Sequence, residues 1–190
     1  FASFLQSPRC LRLLEQLHGG IENHVPRVLP GSWVEMFAAA TEKLPYALIA
    51  ADMHNPGAKL VCVNAEFEKL TGWAKADAIG QNCRFLQGEG TEQEAIAQLV
   101  EGLRSATGVQ LEMTNYRKDE RSFRNLLSTW PVHDSDGVYR YSIGMLADAS
   151  ILSTAQREGY DRVCRMLPRS FDASLQPRPW PGEITTPSEP

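Results

Sequence analysis

The chain holds 190 residues, 43% hydrophobic and 22% charged, enough apolar material for one ordinary core with flanking segments but not for two independent cores. A formal net charge of −4 offers no basic stripe to neutralise nucleic-acid phosphates, and no apolar run approaches a membrane span. The cysteines, Cys10, Cys62, Cys83 and Cys164, form no Cys-x-x-Cys pair and have no His at metal-ligand spacing, so neither a zinc site nor a disulfide framework is expected, and a reducing cytoplasm fits best.

The first residues lack the charged start and cleavage site of a signal peptide, and with a start at Phe1 the chain is expected to be a piece of something longer. From Phe4 to Leu17 apolar positions recur at helical spacing until Gly19 and Gly20. Pro26, Pro30 and Gly31 form a linker, and Ser32 is placed to cap a helix through Trp33, Met36, Phe37 and Ala40. Residues 1–45 therefore read as flanking helices and linker, with the core starting at Tyr46.

Tyr46 to Ala51 and Lys59 to Val63 read as a hairpin joined by turn formers. Short helical pieces broken by Gly72, Gly80 and Gly88 follow. Thr91 and Glu94 have capping-box spacing ahead of a helix carrying Ile96, Leu99, Val100 and Leu103. From Val109 to Asp148 three alternating stretches, divided near Lys118–Glu120 and His133–Gly137, predict an antiparallel meander. The core ends at 148. A further helix runs from Ile151 to Leu167, weakened by Gly159 at about 1 kcal/mol relative to Ala, so that residues 149–167 form a C-terminal flank. Residues 168–190, rich in proline, are expected to be disordered.

Alternation sets Val109, Leu111, Met113 and Asn115 on one face of a strand, and Phe123, Asn125, Leu127 and Thr129 on one face of the next. Each row carries an Asn among apolar residues. A buried amide without a partner costs about 1–3 kcal/mol, so two of them facing inward ask for a polar ligand edge. Amides facing water are the bland alternative. A lone Cys on a short helix is ordinarily an inert buried hydrophobe, but Cys83 lies between Asn82, Arg84 and Gln87, a set of amides and a guanidinium suited to a polar, phosphate-bearing group.

The stretch Gly80-Gln81-Asn82-Cys83-Arg84-Phe85-Leu86-Gln87-Gly88 resembles the signature of LOV domains, the flavin-binding blue-light sensors of the PAS superfamily, and the resemblance extends from about Tyr46 to Asp148. It implies an α+β PAS fold, a five-stranded antiparallel sheet with helices on one face plus flanking N- and C-terminal helices, and a bound flavin mononucleotide (FMN). It also implies a light-driven, reversible bond between Cys83 and flavin C4a, which signals through the flanking helices. By the same resemblance Arg84 pairs with the phosphate, Asn82 and Gln87 bind the ribityl-phosphate side, and Asn115 and Asn125 bind the pyrimidine edge; Leu127 and Gly144 also face the ring.

Two positions depart from the family. Leu146 stands where these domains usually carry a glutamine that senses flavin N5. Val100 stands where many relatives place a second phosphate-binding arginine, which Arg104, one turn later, partly replaces. A photoreceptor module rather than an enzyme is expected. The alternatives are a flavin-binding PAS redox or ligand sensor without light signalling, and a flavin oxidoreductase, for which neither a second cleft nor a nicotinamide-type Gly-rich loop is evident. The effector is unknown. The stretch Phe1–Ser7 with Leu13 and Leu14 is faintly similar to the closing helix of regulators of G-protein signalling, a candidate upstream domain, though an ordinary amphipathic lead-in helix is the favoured reading; the flanking helices offer a route to a homodimer.

Overall fold

The computed structural model describes residues 32–54 and 56–175; the expected helix at Phe4–Leu17, the stretch similar to G-protein regulators and the tail beyond 175 lie outside them. In chain order the elements are α1 (Trp33–Thr41), β1 (Ala47–Asp52), β2 (Lys59–Val63), α2 (Ala65–Thr71), α3 (Lys75–Ala78), a 3₁₀ turn (Cys83–Leu86), α4 (Gln93–Arg104), β3 (Val109–Tyr116), β4 (Ser122–Asp134), β5 (Tyr139–Asp148), α5 (Thr154–Met166), β6 (Ser170–Phe171) and a second 3₁₀ turn (Ala173–Leu175). The sheet order β2-β1-β5-β4-β3 is antiparallel throughout, and β6 adds to β4 in parallel.

The period-two pattern separates two cores across this sheet. Leu48, Ala50, Leu126, Trp130, Ile143 and Met145 face an outer core with Trp33 and Phe37 of α1, Tyr160 and Val163 of α5, and Phe171. Ala47, Ile49, Leu127, Leu146 and Met113 face an inner core with Phe67, Ala78 and Leu86 and, at its margin, Cys83, Ile96 and Leu99. The flanking helices thus cover one face of the sheet, and the small helices with α4 cover the other.

Ser32 caps α1 in a full capping box with Glu35, as its position predicts. The box expected at Thr91–Glu94 does not form: Glu92 is the N-cap of α4 and makes no side-chain cap bond. The Thr91 hydroxyl instead donates to the Thr114 carbonyl at 2.8 Å and accepts from Gly88 N–H at 2.9 Å, because β3 brings a carbonyl that competes for it. The C-terminal helix starts later than expected, at Thr154, with a capping box between Ser153 and Gln156; Ile151 is exposed. Gly159 has a packing reason, since a Cβ there would stand 2.6 Å from the Tyr46 hydroxyl.

Two further expectations are corrected. The tail does not become irregular at Pro168. Phe171 is 4% exposed and stacks on Trp33 at 5.1 Å, so a single aromatic anchors β6 and raises the strand number above five. The turn placed at His133 begins later, after Asp134, and β4 runs through Pro131. Proline is tolerated there because β3 pairs with β4 only as far as Thr129 and β6 resumes only at His133. His133 N–H points to the β6 side, to the Arg169 carbonyl, so the missing N–H of Pro131, two residues earlier, falls in the gap between them.

Candidate functional site

The inner face holds the candidate site. β3 and β4 pair with Leu111 opposite Leu127, Met113 opposite Asn125 and Asn115 opposite Phe123, which brings the two asparagines of the alternating rows together. Asn125 is fully buried and Asn115 is 3% exposed. The Asn125 amide N–H donates to Asn115 Oδ1 at 2.8 Å, and Asn115 N–H donates to the Thr114 carbonyl at 3.1 Å. Asn125 Oδ1 has no partner. A buried carbonyl left without a donor is unfavourable, and this one is set to accept from an N–H that the protein does not supply.

Cys83 opens the 3₁₀ turn at the margin of the same inner core, half-buried. Its apolar surroundings push the thiol up to about 12, so near neutral pH it remains S–H and not a thiolate. The turn is fixed by Asn82, whose Oδ1 caps Arg84 N–H at 3.0 Å and whose amide N–H donates to the Gly57 carbonyl at 2.5 Å. Main-chain bonds from Leu60 N–H to the Gln81 carbonyl and from Gly80 N–H to the Leu60 carbonyl tie the segment to β2. Both ends of the Asn82 amide are therefore engaged. The Gln87 side chain makes no hydrogen bond among the described residues, its main-chain N–H meeting the Arg84 carbonyl.

The two arginines expected at a phosphate both lie at the surface. Arg84 is exposed and bonds Asn82 Oδ1 through Nε at 3.2 Å. Arg104, at the end of α4, is exposed and has no ion-pair partner among the described residues. Val100, on the same helix, is 36% exposed, while its neighbours Ile96 and Leu99 turn inward.

The floor is made by β1 and β5. Gly144 lies opposite Ile49 and Thr129, and a Cβ there would meet Ile49 Cγ1 at 2.8 Å, so the packing against Ile49 requires glycine. Leu146 is 1% exposed and stands between Ala47 and Leu127. A second unpartnered polar atom, the Thr129 hydroxyl, shares the face of Asn125 four residues along β4, about 13 Å at strand rise. Thr129 falls in the alternating row but carries no motif of its own, so only the backbone register marks it as a site residue. Beside β3, Glu92 accepts from the Thr114 N–H at 2.7 Å and from Arg124; the Thr114 bond first, with help from Arg124, holds its carboxyl down to about 2.

Taken together, the inner face carries an apolar cluster shared by the sheet and the small helices, with Cys83 at its margin, the unpartnered Asn125 carbonyl on the same face and the exposed Arg84 next to Cys83 in the chain. This donor and acceptor set fits a heteroaromatic ring with an N–H edge and a phosphate tail. Among the described residues no group of His, Cys, Asp and Glu side chains could hold a metal ion, and no helix is long and apolar enough to cross a membrane.

A PAS domain model matches residues 48–150. The chain is 36% identical over 124 residues to a blue-light-activated histidine kinase of Erythrobacter litoralis, covering 65% of this chain and 34% of that protein. It is 35% identical over 103 residues to a blue-light photoreceptor of Listeria monocytogenes, covering 54% of this chain and 40% of that protein; it spans between about a third and two fifths of these relatives. The solved structure of the LOV domain from an Erythrobacter litoralis blue-light activated histidine kinase superposes with a TM-score of 0.55 at 37% identity, covering 56% of this chain and 98% of that one.

Proposed function

The chain belongs to the PAS domain family and, within it, to the LOV domains, and from that premise we propose that it is the sensor module of a blue-light photoreceptor carrying FMN. The observation that carries the reading is the Asn125 carbonyl, buried, unpartnered and on the same inner face as the Cys83 margin. A flavin pyrimidine edge supplies the missing N–H. Asn115 and Asn125 hold that edge, Leu127 and Gly144 line the ring, and Arg84, with Arg104 in place of a cation at Val100, meets the phosphate. Asn82 fixes the turn and Gln87 offers a free amide to the ribityl chain.

Bound flavin supplies absorption of blue light and a carbon open to attack once excited. With flavin bound, Cys83 would be the residue to supply a sulfur for ring carbon C4a and a proton for N5, an addition across one double bond that would need no outside oxidant. A neutral thiol is the right resident for this step, because light and not a low pKa provides the drive. The change reaches the flanking helices α1 and α5, and beyond them an effector outside this chain. Leu146 favours a second reading, a flavin-binding sensor with weak light output, since leucine exchanges no hydrogen bond with N5. The purified chain is expected to be yellow, to lose its visible band under blue light and regain it in the dark, and to release FMN on acid treatment. A colourless protein, or a predominant flavin dinucleotide, would overturn the pocket assignment.

A further inference from the structure

The outer face carries a polar contact aimed at the inner leucines. Tyr160, on α5, is fully buried. Its hydroxyl stands 2.6 Å from the Met145 carbonyl and 3.2 Å from the Leu126 carbonyl. These carbonyls belong to the peptide groups that lead into Leu146 and Leu127, which face each other across β4 and β5. Both leucine side chains lie in the inner core, whereas Tyr160 lies in the outer one. Peptide groups are rigid planes, so a displacement of Leu127 or Leu146 on the inner face tilts a carbonyl that Tyr160 touches on the outer face. The hydroxyl has one proton for two acceptors, and burial raises it well above the usual tyrosine range, so it remains a donor.

Tyr46 reinforces the contact. It precedes Ala47, which pairs with Leu146 on the other side; its ring meets that of Tyr160 edge-on at 5.4 Å, and its hydroxyl donates to the Gln156 carbonyl of α5 at 2.7 Å. Gly159 leaves the room this needs. Leu146 is thus bracketed, through its two neighbouring strands, by tyrosines that both hold α5.

We propose that Tyr160, seconded by Tyr46, is the positioning residue that couples the main chain at Leu127 and Leu146 to the docking of α5, so that a change beside the ring is read by a hydroxyl moving between two strand carbonyls. The relay uses backbone and not an inner-face amide, and therefore operates with leucine at 146. It rests on the light-sensing reading above.

The test uses the full chain, native and Tyr160→Phe, which keeps the ring and removes the hydroxyl. Reversible bleaching is followed by absorbance and exchange of the α5 amides by mass spectrometry in dark and light. Loss of one such bond is expected to speed dark exchange of α5 about two- to tenfold, with bleaching intact and the light-to-dark exchange ratio falling toward one. An unchanged ratio in a bleaching variant, or a native chain that bleaches without any change in α5, overturns the relay alone. A native chain that does not bleach overturns the light-sensing reading and the relay with it. Should the variant not fold, the infrared light-minus-dark difference spectrum of the native chain with ring-deuterated tyrosine decides: a shifted tyrosine C–O band supports the relay, and its absence overturns it.

Discussion

Two buried asparagines are used in opposite ways. Asn64, 1% exposed, caps α2 and engages its whole amide: Oδ1 accepts from Leu48 N–H at 2.9 Å and Phe67 N–H at 3.1 Å, and Nδ2 donates to the Thr41 and Tyr46 carbonyls at 3.2 and 2.9 Å. It joins the end of α1, the start of β1 and the small helices. Asn125, equally buried, leaves its carbonyl open. A satisfied amide specifies a fold, while an open one on an apolar face specifies what the fold must receive.

The largest effect is expected at the satisfied residue. Asn64→Ala strands the Leu48 N–H and the Tyr46 carbonyl, while the Thr41 carbonyl still accepts from Leu44 N–H; at about 1–3 kcal/mol for each orphan the chain should lose roughly 2 kcal/mol or more, lowering the melting midpoint by about 4–8 °C. A loss below about 1 kcal/mol would dissolve the contrast. Asn125→Leu should behave differently: removing the orphan offsets the lost bond to Asn115, so flavin-free stability moves by less than about 1 kcal/mol, while the flavin dissociation constant, measured by fluorescence titration, rises about tenfold or more. Equal losses in both states would make Asn125 merely structural.

Leu146→Gln sharpens the comparison by adding an amide to the inner face. With flavin bound and illuminated it should increase light-induced exchange in α1 and α5 by about two- to tenfold over the native chain. Equal or larger changes with leucine in place would indicate that signalling never needed the glutamine. The smallest effect concerns Glu92. Its carboxyl is held down to about 2, below the unfolded value near 4.5, so its contribution is present above that value and is lost as pH falls from about 4.5 toward 2. With a side chain 42% exposed, solvent screening keeps it small. Melting curves of Glu92→Gln should show a shallower decline over that window.

Local signals carried much of this architecture. Ser32 before Trp33, the alternation through Asn115 and Asn125, and the residues around Cys83 are short-range patterns, and they mark a helix start, two inward faces and a short turn at the margin of the inner core. What stayed hidden depends on partners distant in the chain. The capping spacing at Thr91 was overruled by the Thr114 carbonyl, 23 residues away. Gly159 read as a weak point in α5 because Tyr46 lies far from it in sequence, and Phe171 read as disordered tail because Trp33, the ring it stacks on, lies at the other end of the chain. The open hydroxyl of Thr129 and the double contact of Tyr160 follow from register, which alternation constrains but does not number.

The central claim, that Cys83 is the light-reactive group beside a flavin held by the Asn125 edge, is tested most directly by the visible absorption of native chain and Cys83→Ala before and after blue light. Both should be yellow; the native chain should bleach and recover to the same extent from about pH 6 to 9, since a thiol pushed up to about 12 does not titrate there, and the alanine variant should stay coloured and fluorescent throughout. Reversible bleaching that persists in Cys83→Ala would contradict the account.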